Sequence, residues 1–249
     1  MCTLIILRRP GHPWPLLLAG NRDEMQDRPW KPPARHWDDR PEVMAGLDLV
    51  GGGSWMGIND QGLSAVVMNR RGTLGPAPGK RSRGELVLEA LDHAEAAEAA
   101  RALAELDPDA YRPFNLFIGD PRESFWLRHG GAGIAMLEVP PGLHMLTARE
   151  LDDNRDPRIR HYLPRFREAE IPDPESGAWD GWRTLLASRV PVPDEEPRAS
   201  MSFELESGFS TVSSSLIAIP AYPGFGPKPR WLFAPGAPDR EEFIPVTNG

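Results

Sequence analysis

The sequence contains a single cysteine, and this cysteine is residue 2, directly after Met1. One thiol excludes a disulfide within the chain and any metal site built from several cysteines. A packed apolar core must therefore hold the fold, and 249 residues with 40% hydrophobic side chains suffice for one. We expect a single domain over residues 1–249.

Charge and hydropathy narrow the class of partner. The formal net charge is −8, whereas binding of nucleic-acid phosphates needs a basic surface. The apolar stretch at residues 3–7 is too short for a signal peptide, and no segment approaches the ~20 apolar residues of a spanning helix. We expect a cytoplasmic protein whose partner is a small molecule, without a membrane span.

The order of predicted elements favours an α+β architecture. Strands at 3–8 and 16–21 are followed by a loop rich in Pro and Trp at 28–41 and by three short strands that end at 69. A capping-box pattern at 82–85 and an Ala-rich segment predict a pair of helices. Two or three strands come next, followed by helical segments near 156–168 and 179–190 and by further strands. Helices that cover antiparallel sheets fit this order.

Cys2 has two interpretations. In the first, it is a small apolar residue at the start of an edge strand. In the second, Met1 is removed and Cys2 carries both a thiol and a free α-amine. That amine, with a reference pKa of roughly 7.7–8.0, can take the thiol proton and so replace the histidine of other nucleophilic sites.

The segment GNRDE ends the second predicted strand, which pairs with the first across a hairpin. This pairing places residues 21–24 beside Cys2. Arg22 can lower the pKa of the thiol and hold a substrate carboxylate, and Asp23 can bind the α-amine or orient Arg22. Because neighbouring strand residues face opposite ways, both reach the thiol only if the strand ends or bulges there. A charged strand end without function is the alternative.

A third candidate is Asn69, at the end of the hairpin GINDQGLSAVVMN. A side-chain amide at this place can donate to a developing oxyanion. The glycine run GGGSW before the hairpin lacks the Gly-Lys-Ser/Thr of a phosphate loop, so a turn before a strand explains it. Around these residues, we assign Asn21, Glu24, Trp55 and Arg70 as candidate ligand-binding residues.

The blocks MCTLII, AGNRDE, AGLD, GGGSWMGI, RGELV and FNLFIGD occur in this order. Together they resemble the NRDE-motif family, also called the Transport and Golgi organisation 2 family, with the dense part of the resemblance at residues 1–119. This resemblance implies the N-terminal-nucleophile (Ntn) hydrolase fold, a four-layer αββα sandwich in which helices cover two stacked, mainly antiparallel sheets.

The chain is similar, more widely, to choloylglycine hydrolases and penicillin V acylases. This likeness implies Cys2 as nucleophile and Asn69 as an oxyanion donor, supported by Arg22 and Asp23. The departures are specific. The acylases space the Arg and Asp as Arg-x-x-Asp, which leaves Glu24 as a second candidate acid. Ala148 follows Thr147 where the acylases have Thr-Asn. The acylases' late-strand Arg falls on Ser214, and that of the NRDE family on Val212.

The implied activity is hydrolysis of an amide or thioester bond in a small amphipathic substrate, with no cofactor required. The same family resemblance implies an alternative, the non-enzymatic binding and trafficking of haem or a lipid-like ligand. Tryptophans could line such a cleft, and Cys2 or a histidine could ligate iron. The six histidines are candidates for this role: His12, His36, His93, His129, His144 and His161.

Overall fold

The computed structural model describes residues 2–247. Its strands are β1 (Thr3–Arg8), β2 (Leu16–Met25), β3 (Trp30–Ala34), β4 (Val43–Asp48), β5 (Met56–Asn59), β6 (Ser64–Asn69), β7 (Phe114–Gly119), β8 (Ser124–His129), β9 (Ile134–Glu138), β10 (Gly142–Leu146), β11 (Phe209–Ile219), β12 (Arg230–Ala234) and β13 (Ile244–Pro245). Its helices are α1 (Gly84–Leu91), α2 (Ala96–Ala104), α3 (Pro157–Glu168) and α4 (Asp180–Leu186).

The strands form two antiparallel sheets. The first sheet has the order β10-β1-β2-β11-β12-β13, and the second runs β3-β4-β5-β6-β7-β8-β9. In the first sheet, β2 lies between β1 and the late strand β11, so the predicted hairpin of β1 and β2 is central to that sheet. The predicted α+β class with antiparallel sheets is confirmed.

Three apolar layers hold the elements together. One packs α1 and α2 against the second sheet, another packs α3 and α4 against the first sheet, and the third lies between the sheets. Successive side chains of β2 point to opposite faces of the sheet and so contribute to two of these layers. Leu17 and Ala19 face the helices, whereas Leu16 and Leu18 face the second sheet. The predicted αββα sandwich is therefore the observed architecture.

The predicted Pro- and Trp-rich loop is wrong in part, because residues 30–34 form the edge strand β3. Its pairing with β4 is irregular between Lys31 and Ala34, where Pro32 and Pro33 lie. Proline donates no ladder hydrogen bond and is tolerated at edges and irregularities of this kind. The predicted turn at 59–62 is confirmed, with Gly62 at a φ of +83°.

The helix boundaries differ slightly from the sequence-based ones. The capping-box serine, Ser82, accepts a hydrogen bond from the Gly84 N–H at 3.2 Å, but Arg83 occupies the N-cap position of α1. Helix α3 begins after Asp156, whose carboxylate accepts from the Arg158 N–H at 2.9 Å. Within residues 2–247, no helix has the length and apolar character needed to cross a membrane.

Candidate active site

Cys2 lies immediately outside the β1–β2 ladder, whose last pair joins Thr3 to Asn21. The half-buried thiol sits beside the backbone of Asp23: its Sγ is 3.5 Å from the Asp23 nitrogen, which donates to it, and 3.6 Å from the Asp23 oxygen. The predicted approach of Cys2 to residues 21–24 is thus present. Removal of Met1 concerns a residue outside the described range and stays a prediction.

Strand β2 is regular at this point and sends its charged side chains to opposite faces. Asn21 and Asp23 point towards the helix side, whereas Arg22 points between the sheets. The irregularity lies in the neighbouring strand, β11, whose register against β2 shifts between Thr211 and Ser213. The expectation that Asp23 orients Arg22 is therefore wrong, because their side chains lie on different faces.

The Asp23 carboxylate is fully buried and bound on both oxygens. Thr211 Oγ1 donates to Oδ1 at 2.8 Å, and Arg158 Nη1 donates to Oδ2 at 2.9 Å. Arg158 comes from α3, and its side chain is only 1% exposed. A buried ion pair keeps its charges only when further hydrogen bonds satisfy them, and these contacts supply them.

Asn21 belongs to the same helix-side network. Its Nδ2 donates to the carbonyl oxygens of Leu186 and Met201 at 3.0 and 2.9 Å, and its Oδ1 accepts from Ser214 at 2.7 Å. The amide is thus engaged in joining β2 to β11, to the last residue of α4 and to the segment that contains Met201. This geometry supports a structural role for Asn21 rather than the predicted ligand-binding one.

Unlike Asn21, the Arg22 side chain has no hydrogen-bond partner among residues 2–247. Its guanidinium lies 4.4 Å from the ring centroid of Trp55, and the side chain is 7% exposed. Among residues 2–247, no acceptor hydrogen-bonds to it: Nη1 is buried without a partner, and Glu24 approaches Nη2 only to 4.0 Å. Burial lowers the pKa of this guanidinium. A buried cation without hydrogen bonds is suited to an anionic ligand group.

The thiol is protected from ionisation. Burial raises the pKa of Cys2 above its ordinary value, and the negative charge of Asp23 raises it further. Arg22 acts in the other direction with a smaller effect on this pKa. The predicted lowering of the thiol pKa by Arg22 is therefore present, but burial and Asp23 outweigh it. The nucleophile consequently needs a base during the reaction.

Two clefts meet at Cys2. The first, the α3 cleft, has a volume of about 340 Å³ and is bordered by Cys2, Asp23, Asn69, Arg70 and the start of α3. The second, the α1 cleft, also has a volume of about 340 Å³ and leads past Arg22 and Trp55 to the start of α1. Cys2, Asp23 and Asn69 border both of them.

Asn69 has an unengaged side chain. It ends β6, is half-buried, and makes no side-chain hydrogen bond to any residue in the described part of the chain. Because this amide borders both clefts together with the thiol, it is free to donate to a group bound between them. The structure thus brings Asn69 and Cys2 together, as the sequence predicts.

The remaining predicted ligand-binding residues differ in the contacts that their side chains make within the protein. Arg70 borders the α3 cleft but is held by Asn115 at 2.8 Å and Glu150 at 2.5 Å. Glu24 borders the α1 cleft, 3.8 Å from Arg28. The glycine run forms a turn, as the sequence suggests: Gly53 lies against the backbone of Gly84, where a Cβ would come within 2.3 Å.

Most of the tryptophans, and all of the histidines, that are candidates for haem binding lie away from the two clefts. Five tryptophans are buried in the apolar layers: Trp14, Trp126, Trp179, Trp182 and Trp231. Trp55 is the tryptophan that borders the α1 cleft. Within residues 2–247, none of the histidines borders either cleft. The prediction of a Trp-lined haem cleft thus gains no support from this geometry.

A family model described as Transport and Golgi organisation 2 matches residues 1–181. The chain belongs to the Transport and Golgi organisation 2 family. The match includes Cys2, the tetrad 21–24 and Asn69. It extends beyond the dense resemblance at residues 1–119, through helix α3 to the start of α4. A search of curated proteins finds no significant sequence match.

Two solved structures that are similar to this family member have hydrolase names. One is the Caenorhabditis elegans orthologue of N-acylethanolamine-hydrolyzing acid amidase, at 13% identity and a TM-score of 0.60, covering 90% of this chain and 94% of that one. Another is the mutant C2A conjugated bile acid hydrolase of Clostridium perfringens, at 11% identity and a TM-score of 0.53, covering 100% and 97%. At these identities the likeness establishes the Ntn-hydrolase fold.

The positions where the chain departs from the acylases have structural substitutes. Ser214 bonds to Asn21, and Val212 lies at the irregularity of β11, so neither supplies a cation. Arg158, which the sequence did not single out, reaches Asp23 from α3 instead. The only local signal was its place after the Asp-Pro start of a helix, which does not reveal a contact with β2.

Proposed function

We propose that this protein is a cysteine-dependent hydrolase that cleaves an amide or thioester bond in a small amphipathic substrate. Cys2 is the nucleophile after removal of Met1. The observation that carries this proposal is the meeting of three groups in the α1 cleft: the Cys2 thiol and the unengaged Asn69 amide, which also border the α3 cleft, and the Arg22 guanidinium, which has no hydrogen-bond acceptor among residues 2–247.

In the proposed reaction, the α-amine of Cys2 takes the thiol proton as Sγ attacks the substrate carbonyl carbon. The carbonyl oxygen becomes an oxyanion, to which Asn69 Nδ2 donates. The C–N or C–S bond then breaks, and the leaving amine or thiol receives the proton. Water attacks the resulting thioester on Cys2, with the α-amine again as base, and releases the acid.

Asp23 and Arg22 have separate roles in this scheme. The Asp23 carboxylate, bound by Thr211 and Arg158, is a fixed acceptor for the protonated α-amine. Arg22 is placed to hold an anionic group of the substrate, because its donors have no protein acceptor in the described chain. The raised thiol pKa makes proton transfer to the α-amine necessary for attack.

The proposed substrate is amphipathic because the clefts combine cations with apolar rims. Val50, 61% exposed, borders the α1 cleft, and Leu74, 51% exposed, borders the α3 cleft. An apolar tail can lie along such a rim while a polar end reaches the buried arginine. Ala148 borders the α3 cleft and offers no side-chain donor; loss of one oxyanion donor costs about 10²–10³ in rate, so we expect slow turnover.

The experiment is a screen of N-acyl p-nitroanilides and matching aryl thioesters of increasing chain length. The wild-type protein is compared with Cys2→Ser and with protein alkylated by iodoacetamide. We expect hydrolysis that both treatments abolish. Equal rates for wild type and Cys2→Ser, after removal of contaminating activity, would contradict the proposal.

Haem carriage and a cytoplasmic location stay predictions. The same preparations are titrated with haemin and followed by Soret absorbance. Stoichiometric haemin binding together with absence of turnover on every amide and thioester would favour a carrier over a hydrolase. Turnover that requires Cys2 would favour the hydrolase whether or not haemin binds.

A further inference from the structure

Helix α3 starts directly beneath the Cys2 end of the first sheet. Thr147, at the end of β10, donates from Oγ1 to Asp156 Oδ2 at 2.7 Å, and the other Asp156 oxygen caps the helix by accepting from the Arg158 N–H. Asp156 is 0% exposed. This buried cap fixes the first turn of α3 relative to the sheet, and so fixes the origin of the Arg158 side chain.

The Arg158 guanidinium joins three segments that converge on the nucleophile. Nη1 donates to Asp23 Oδ2 at 2.9 Å and to Thr3 Oγ1 at 2.7 Å, and Nη2 donates to the Arg198 carbonyl at 2.5 Å. Thr3 is the residue that follows Cys2, and Asp23 is the residue whose backbone contacts the thiol. One planar fork thus holds both strands at the point where Cys2 emerges.

No arginine of the late strand occupies this position. The positions to which the sequence resemblance assigned such an arginine are Val212, which lies at the irregularity of β11, and Ser214, which bonds to Asn21. Thr211, the strand residue opposite Asp23, contributes a hydroxyl only. The cation that balances Asp23 therefore comes from a helix distant in the sequence.

We infer that Arg158 is the positioning residue of the Cys2 site: it fixes the Asp23 carboxylate and the end of β1, and it supplies the positive charge that the late strand lacks. Arg158 borders the α3 cleft, but its donors are engaged by Asp23, Thr3 and the Arg198 carbonyl, so it acts on Cys2 through Asp23 and Thr3. A role for Arg158 in catalysis rests on the proposed function. Its effect on the reactivity of the Cys2 thiol does not, and can be measured without a substrate.

Arg158 is electrostatically coupled to the Cys2 thiol through Asp23. Asp23 opposes ionisation of Cys2, and Arg158 offsets the charge of Asp23 at 2.9 Å. Removal of Arg158 takes one positive charge away from the buried carboxylate beside the thiol, which makes the thiolate less stable. Loss of the Thr3 contact also frees the start of β1. Both effects reduce the reactivity of Cys2 at neutral pH.

Other charges surround Cys2 and stay in place in the test. Those that border the α3 cleft are Arg70, Arg71, Arg149, Arg155, Asp156, Glu195, Glu196 and Arg198. Those that border the α1 cleft are Arg22, Glu24, Arg28, Asp48, Lys80, Arg81, Arg83 and Arg112. Because they are unchanged in each variant, a difference between variants reports the Asp23–Arg158 pair.

The test is the rate of Cys2 alkylation by iodoacetamide as a function of pH, which needs no substrate. We expect Arg158→Met to move the midpoint of this profile upward by about one pH unit, and so to slow alkylation about tenfold at pH 7. Arg158→Lys keeps the charge without the fork, and we expect about half of that shift. Arg160→Met, an exposed arginine of α3 paired with Glu195, is the matched control and leaves the midpoint unchanged.

A double-mutant cycle distinguishes positioning from general loss of structure. In an Asp23→Asn background, Arg158→Met should shift the midpoint by less than half of its wild-type effect, because the carboxylate it offsets is gone. Each profile is measured on protein whose cooperative melting is verified, and Arg158→Lys carries the test if Arg158→Met does not fold. Unchanged midpoints in both Arg158 variants, or an equal shift in the Asp23→Asn background, would overturn the inference.

The outcome separates this inference from the proposed function. A shifted midpoint without hydrolysis of any test substrate would keep Arg158 as the positioning residue and remove the hydrolase. Hydrolysis that depends on Cys2, with an Arg158→Met profile that coincides with wild type, would keep the hydrolase and reduce Arg158 to a structural ion pair.

Discussion

The two faces of β2 at the Cys2 site contrast in how their charges are satisfied. On the helix side, Asp23 is bound by Thr211 and Arg158. On the inter-sheet side, Arg22 stacks on Trp55 with no hydrogen bond from the described chain. On the helix side the protein itself supplies the hydrogen-bond partners of the charged group. On the inter-sheet side a bound ligand is needed to supply an acceptor for Arg22.

The largest expected effect concerns the thiol that both faces share. Cys2→Ser should abolish alkylation and lower turnover by about 10³-fold or more, because a serine hydroxyl is a far weaker nucleophile without a strong base. Turnover is measured on the best substrate of the screen. A Cys2→Ser variant that retains a tenth of the wild-type rate would show that Cys2 is not the nucleophile.

The next effect tests the donor that borders both clefts. Asn69→Ala should lower kcat by about 10²-fold with little change in KM, because an oxyanion donor acts mainly in the transition state. Asn154→Ala is the matched control, since Asn154 is exposed in the loop before α3. A change confined to KM would place Asn69 in ground-state binding instead.

The comparison of the two faces predicts that their variants differ in the free energy of unfolding. Asp23→Asn should lower the free energy of unfolding by about 2 kcal/mol, because it weakens hydrogen bonds to a charged, buried group. Arg22→Met should stay within about 1 kcal/mol of wild type. It loses a cation–π contact, but it also removes a buried cation that has no hydrogen-bond acceptor among residues 2–247. Urea denaturation of both variants measures the free energy of unfolding. Equal decreases in the two variants would contradict the difference between the two faces.

The same contrast predicts how ligands bind. Arg22→Met should raise the KM of substrates with an anionic group about tenfold and leave neutral substrates nearly unchanged, because a charge-assisted hydrogen bond of this kind contributes about 1.5–3 kcal/mol. Matched neutral and carboxylate-bearing substrates of equal chain length measure it. Equal effects on both would show that Arg22 acts on the thiol rather than on the ligand.

The smallest effect concerns the pH dependence of the thiol. Burial and Asp23 raise the pKa of Cys2, so alkylation should be slow at pH 7 and increase with pH past the ordinary thiol value of about 8.5. Asp23→Asn removes a negative charge and should move the midpoint to lower pH. Arg22→Met removes a positive charge and should move it upward by a smaller amount. Shifts with the reverse signs would contradict the assignment of the two faces.

Much of this arrangement was predictable from the sequence, because it depends on local patterns. The alternation in LLLAGNRDE indicates a strand with two buried faces, and its hairpin with β1 places the tetrad 21–24 next to Cys2. The end of the hairpin at 59–62 likewise positions Asn69 at a strand end. The order of strands and helices, together with the family resemblance, predicted the sandwich.

The rest depended on contacts between distant segments. Nothing near Arg158 in the sequence reveals that it lies against Asp23, which is 135 positions away. The engagement of Asn21 by the carbonyls of Leu186 and Met201 is of the same kind. The net rise in the thiol pKa could not be predicted either, because burial, its largest cause, is a property of the packed chain.

The central claim is that Cys2 is the first residue of the working protein, with a free α-amine beside its thiol. The most direct measurement is intact mass spectrometry of protein purified from its native source, before and after brief exposure to a thioester substrate. We expect a chain that lacks Met1 and gains one acyl group, which Cys2→Ala does not gain. A chain that retains Met1 in most molecules, or that acquires no acyl group at Cys2, would contradict it.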